Sequence, residues 1–141
     1  MTSTFPSHPF GTAISVDDII HQMAQCRSWE DKYRLVIQMG KKLPTLDESL
    51  KSESISVSGC ESKVWLIWRK QDEKYIFAAD SDARIVKGLL AIVLAAAEGK
   101  SQQALRHFNF EHYFEKLDLL THLSQSRSNG IRSIVEQIKN I

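Results

Sequence analysis

Among the nucleophilic side chains of this 141-residue chain, Cys60 has the setting best suited to chemistry. It follows Gly59 in a short polar stretch, Ser58-Gly59-Cys60-Glu61-Ser62, between two runs that alternate like strands. Before it, Ile55 and Val57 alternate with Ser54, Ser56 and Ser58. After it, Val64, Leu66 and Trp68 share one face of a strand, and Trp65 and Ile67 the other. Glycine reaches backbone angles closed to other residues, so the thiol is expected on a tight loop tip where it can meet another protein. The competing reading is packing, because an unpaired cysteine is commonly a small buried hydrophobe. Spacing alone leaves the two level.

Other chemistries find less support. Cys26 sits near a helix end with no histidine or second cysteine close in sequence and reads as a packing thiol. His8, His21, His107, His112 and His122 are scattered and neither cysteine belongs to a Cys-x-x-Cys pair, so nothing points to a structural zinc site. Phosphate-binding glycine loops, a nucleophile elbow and the paired histidines of zinc peptidases are absent, and no cofactor is expected. With 18 basic and 17 acidic side chains, no global field draws the chain to nucleic acid or anionic lipid. Two cysteines cannot build a disulfide framework, and the first residues lack the layout of a secretory signal. The longest apolar run, Leu89 to Ala97, falls short of the roughly 20 residues a membrane helix needs. A soluble cytoplasmic protein is the expectation.

The elements that must position Cys60 can be read in order. Residues 1–13 are expected to be mobile or packed across the surface, with Phe10 as an apolar anchor. Ser15 followed by Asp18 starts a first helix to about Gln25, and Ser28 followed by Asp31 starts a second, with Tyr33, Val36, Ile37 and Gly40 on one face. Trp29, Tyr33 and Leu43 read as core residues. A polar connection, Thr45 to Glu53, leads to three strands, Ile55 to Ser58, Lys63 to Arg69 and Lys74 to Ala79, the last two a hairpin lacking the asparagine-glycine turn signal. A helix from about Ala83 to Glu98, apolar around most of its circumference and closed by Gly99, belongs in the middle of the fold. Asp80 and Asp82 before it read most simply as helix-capping acids. A short helix from Ser101 to Leu105, further core aromatics and leucines from Phe108 to Leu123, and a last helix after Ser124 to Gly130 complete an α+β fold. Its small three-stranded antiparallel sheet packs on a long buried helix and several others. No linker or repeat interrupts it.

Four stretches together resemble the SufE/CsdE family of sulfur-acceptor (cysteine desulfuration) proteins. Ser58 to Leu66 resembles its active-cysteine loop, and Trp29-Glu30-Asp31-Lys32-Tyr33-Arg34 with Gly40 and Leu43-Pro44 its second-helix signature. Asp80-Ser81-Asp82-Ala83-Arg84-Ile85-Val86-Lys87-Gly88-Leu89 is similar to its acid-serine-acid turn and central helix. His122-Leu123-Ser124 with Ser126-Arg127-Ser128-Asn129-Gly130 is similar to its last signature. The likeness runs from His8 to about Ile138. His8-Pro9-Phe10-Gly11-Thr12 is similar to the CsdE branch, whereas Asp80-Ser81-Asp82-Ala83 looks more like the SufE form.

The resemblance implies one SufE/IscU-like domain over residues 1–141. It implies that Cys60 accepts persulfide sulfur from a cysteine desulfurase of the CsdA/SufS type, stimulates that enzyme and relays the sulfur onward. The destination would be iron-sulfur cluster assembly through a cluster scaffold, or a tRNA-modifying dehydratase. Pyridoxal phosphate would belong to the partner, and the chain would be a carrier without turnover of its own. Asp82 is implied to lie near the cysteine loop and influence its exposure, and Arg127 to approach the loop, where its charge would stabilise a thiolate or persulfide. Without the resemblance, Arg127 is a solvated side chain at a helix start. Two rivals remain. An iron-sulfur scaffold usually calls on several thiolates, where this chain has two. A thiol hydrolase needs a base, and His122 is the only candidate near a matched motif.

Overall fold

The computed structural model describes residues 5–56 and 63–141 and shows a mixed α+β fold. In chain order its elements are α1 (Val16–Ala24), α2 (Trp29–Gly40), α3 (Glu48–Glu53), β1 (Ile55–Ser56), β2 (Val64–Gln71), β3 (Lys74–Ser81), α4 (Arg84–Ala97), α5 (Gln102–His107), α6 (Phe110–Leu117), a single 3-10 turn (Leu120–His122) and α7 (Gln125–Lys139). Local chemistry sets most helix starts. Ser15 accepts a hydrogen bond from the Asp18 amide while the Asp18 carboxylate accepts one from the Ser15 amide, which completes a capping box. Ser28, Asp47, Ser101, Asn109 and Ser124 each accept from the amide three residues on.

The sheet is in substance a two-stranded antiparallel hairpin. β2 and β3 pair from Val64 opposite Ser81 to Gln71 opposite Lys74, and β1 adds a two-residue rung, Ile55 opposite Leu66 and Ser56 opposite Trp65. Of the expected first strand from Ile55 to Ser58, Ile55 and Ser56 are strand, and Val57 and Ser58 lie outside the described residues. The hairpin closes through Asp72 and Glu73 at φ of 51° and 68°, a two-residue turn with both central residues left-handed despite the missing asparagine-glycine pair.

α4 is the axis of the core, with every residue except Arg84 and Lys87 buried. α2 crosses it where Gly40 meets Gly88, and a Cβ on Gly88 would run into the Val36 carbonyl. Val64, Leu66 and Phe77 join this main core from one face of the sheet, with Trp68 packed against it. Ile67 and Ala78, on the other face, are covered by Leu46 and Leu50, with Phe5 and Trp65 packed alongside. That cover is Leu46 and the α3 that follows it, in the stretch the sequence suggested was a plain polar connection. A six-residue helix with one buried side chain, Leu50, carries too little periodicity to be seen.

Two further expectations are corrected. Tyr33 is not core but 39% exposed, and Trp29 is only half-buried; of that trio only Leu43 is fully inside. The last helix begins before Gly130, at Gln125, because Ser124 caps it. The amino-terminal segment is packed from Phe5 onward. Phe10 is wholly buried, and its amide donates to His8 Nδ1 at 3.1 Å, which leaves Nε2 to donate to the Phe77 carbonyl at 3.0 Å.

Candidate functional site

Cys60 lies outside the described residues, so the site is defined by what holds the two ends of its interval. Ser56, at one end, pairs with Trp65, and Lys63, at the other, precedes Val64, the first residue of β2. Both ends therefore meet at the same end of the sheet, where β3 turns into α4.

That corner grips Lys63 by its backbone. The Lys63 amide donates to Asp82 Oδ1 at 3.0 Å, and its carbonyl accepts from Ser81 Oγ at 2.7 Å and from the Asp82 amide at 3.4 Å. Ser81 Oγ also accepts from the Ala83 amide at 3.2 Å, so one hydroxyl joins the start of α4 to the start of β2.

Asp80 anchors the corner from below. Only 3% exposed, its carboxylate accepts from the Leu46 amide at 3.1 Å and from the Ser81 amide at 2.8 Å, and it pairs with Lys87 Nζ at 3.2 Å. A buried carboxylate is tolerated when its oxygens are matched in this way. The capping role expected of these aspartates is not what the structure shows. The N-cap residue of α4 is Ala83, with no side-chain cap, and both carboxylates reach to other segments of the chain. A signal for Asp80 was nonetheless present. Lys87 is the only charge of α4 beyond its first residue, and a cation in an apolar helix calls for a partner. Ser81 carried no comparable signal.

Arg127 occupies the first turn of α7, where its amide donates to Ser124 Oγ at 3.2 Å. Its half-buried side chain makes no ion pair among the described residues. Thus Asp82 is placed against the end of the Cys60 interval, whereas no contact with a described residue links Arg127 to it. His122 stacks on Trp29 at 4.8 Å between ring centroids, and its Nε2 lies 3.6 Å from Asp118 Oδ2. Asp118 in turn sits 3.6 Å from Lys32 Nζ, and the Thr121 hydroxyl and Lys32 hold its carboxyl below the usual carboxylate range. Cys26 is half-buried, its thiol donating to the Gln22 carbonyl at 3.5 Å, and burial together with Asp31 pushes its pKa up, which disfavours the thiolate.

Among the described residues no group of three or more histidine, cysteine, aspartate or glutamate side chains is arranged to hold a metal. Two open grooves beside α6, of about 440 and 260 Å³, are both bordered by Glu111 and Arg132, and neither includes Asp82 or Arg127. Among the described residues no helix is long and apolar enough to cross a membrane.

Residues 17–141 match the family model described as SufE: Fe-S metabolism associated domain. The chain is 41% identical over 135 residues to the sulfur acceptor protein CsdE of Escherichia coli (strain K12), across 95% of this chain and 92% of that protein. It is also 41% identical over 130 residues to an uncharacterized SufE-like protein of Rhizobium meliloti (strain 1021), covering 89% of this chain and 93% of the other. In fold it is similar to a hypothetical protein from Thermus thermophilus solved in solution, with a TM-score of 0.72 over 89% of this chain and 90% of that one at 13% identity.

Proposed function

We propose, from the premise that this chain belongs to the SufE family, that it is a sulfur acceptor working as a single SufE-like domain with Cys60 as the accepting thiol. The observation that carries the reading is the 41% identity to a sulfur acceptor protein across 95% of the chain. The anchored corner around Lys63 supports it by giving the Cys60 interval a defined end.

In the proposed step the Cys60 thiolate attacks the terminal sulfur of a persulfide on a cysteine desulfurase of the CsdA/SufS type. A new S–S bond forms to Cys60, the old one breaks, and the desulfurase cysteine leaves as its thiolate. The product is Cys60-S-SH, and no outside oxidant or reductant is consumed. Pyridoxal phosphate stays on the partner, and this chain carries the sulfur without turning over, onward to iron-sulfur cluster assembly or tRNA modification in the cytoplasm. A thiol of ordinary pKa, about 8.5, is only a few per cent ionised at neutral pH, so a nearby cation speeds the attack. Arg127 is the residue proposed for that role, and Asp82 for holding the end of the cysteine interval.

The test is mass spectrometry after incubation with a desulfurase, pyridoxal phosphate and cysteine. The expected gain is about 32 Da at Cys60, the mass of one sulfur in a persulfide. Cys60→Ser is expected to gain nothing, Arg127→Gln to gain sulfur more slowly, and Asp82→Arg to change the rate of gain at Cys60. Sulfur on Cys26 alone, or no gain together with iron binding or substrate hydrolysis, would reject the reading in favour of a scaffold or a thiol hydrolase.

A further inference from the structure

We infer that α3 is a cover that opens as a unit from the outer face of the sheet, and that the buried Asp80 carboxylate is its catch. Six residues are too few to hold a helix by themselves, so α3 lasts only while it is docked. What docks it is small. Leu46, just before the helix, and Leu50 within it lie over Ile67 and Ala78. Toward its end Glu53 meets Arg69 at 3.1 Å, and Lys51 Nζ lies 4.3 Å from the centre of the Trp65 ring. Glu53 is open to water, and an ion pair in that setting adds little.

The catch sits at the other end of the cover. Asp80 Oδ2 accepts from the Leu46 amide at 3.1 Å, while Oδ1 accepts from the Ser81 amide at 2.8 Å and lies 3.2 Å from Lys87 Nζ. The carboxylate thus has one oxygen on the cover and one on the corner and central helix, with three donors converging on it. A side chain with two acceptor oxygens serves them all. An amide in its place has one oxygen, which goes to the side with two donors, one of them a cation. Its NH2 group then faces the Leu46 N–H, donor against donor, and the cover loses its buried polar anchor while the hairpin and α4 keep theirs. The device is independent of the proposed sulfur chemistry.

Amide hydrogen exchange of the full chain, read residue by residue by NMR at rising low urea concentrations, tests this. The reporters are the Lys51 and Ser54 amides, bonded to the Asp47 and Leu50 carbonyls at 3.0 and 2.9 Å. In the parental chain they are expected to exchange with a shallow urea dependence, because opening α3 exposes little surface, whereas amides in the middle of α4 exchange with a steep one. Asp80→Asn is expected to speed both reporters about tenfold, the equivalent of a lost hydrogen bond to a charged group, with the dependence still shallow. Arg69→Gln, which removes the partner of Glu53, is expected to speed them less than about twofold. Reporters as steeply dependent on urea as α4 in the parental chain would mean that the cover opens only when the whole chain unfolds, and would overturn the inference without any variant. An unchanged rate in Asp80→Asn, an equally large effect of Arg69→Gln, or an Asp80→Asn chain that does not fold would each show that Asp80 is not the catch.

Discussion

α4 is held in two contrasting ways. At its middle, Gly88 lies against Gly40 and Val36 of α2, backbone against backbone, with the Val36 Cγ1 methyl alongside. At its start, the corner from Asp80 to Ala83 is held by hydrogen bonds that reach Leu46 and Lys63, those to Lys63 at the solvent-facing edge. The first arrangement is a matter of shape: close-packed surfaces have no intermediate positions of low energy, so the crossing is either intact or lost. The second is a matter of polar partners, which water or another protein can replace at small net cost.

Substitutions on either side probe the contrast with graded force. Gly88→Ala is expected to have the largest effect, a loss of about 3 kcal/mol in urea unfolding, because the new methyl meets the Val36 backbone, which cannot give way as a side chain can. A variant as stable as the parent would remove the packed half of the comparison. Asp80→Asn keeps the shape of a buried side chain but takes away the charge that faces Lys87, and is expected to cost about 2 kcal/mol by the same measurement. Combined with Lys87→Met, it should cost less than the two single changes added together, since the pair then disappears as a unit. Strict additivity would mean that Asp80 and Lys87 do not act together.

The smallest effect is expected at Asp118, an exposed carboxylate away from both regions. Its pKa is depressed in the folded chain by the Thr121 hydroxyl and then by Lys32, so the ionised form is the one that folding favours. The contribution is therefore present above the ordinary carboxylate pKa and lost as pH falls through the lower folded value. The stability difference between the parent and Asp118→Asn should narrow as pH drops below about 4 in acid titrations followed by circular dichroism. A difference that stays constant through that range would show that the carboxylate's ionisation is not involved.

Much of the framework was legible because its causes are local. The Ser15 and Asp18 box, the caps at Ser28 and Ser101, the apolar circumference of α4 and the left-handed Gly99 behind it all follow from residues within a turn or two of each other. The α+β class and the opposed faces of β2 followed in the same way. α3 escaped notice because its one buried residue, Leu50, derives its meaning from Ile67 and Ala78 across the sheet. Tyr33 has core spacing on α2, yet nothing in the chain itself says that this part of the helix faces outward.

Residue type and order were enough to single out the candidate nucleophile and the polar run that accompanies the central helix, since they carry that information directly. What the polar run is for emerged only from the folded chain. Asp80 and Asp82 stand where capping acids stand, but their oxygens are taken by the amides of Leu46, Ser81 and Lys63. A carboxylate binds whichever donors the fold brings within about 3 Å, and that choice depends on chain segments far apart in sequence.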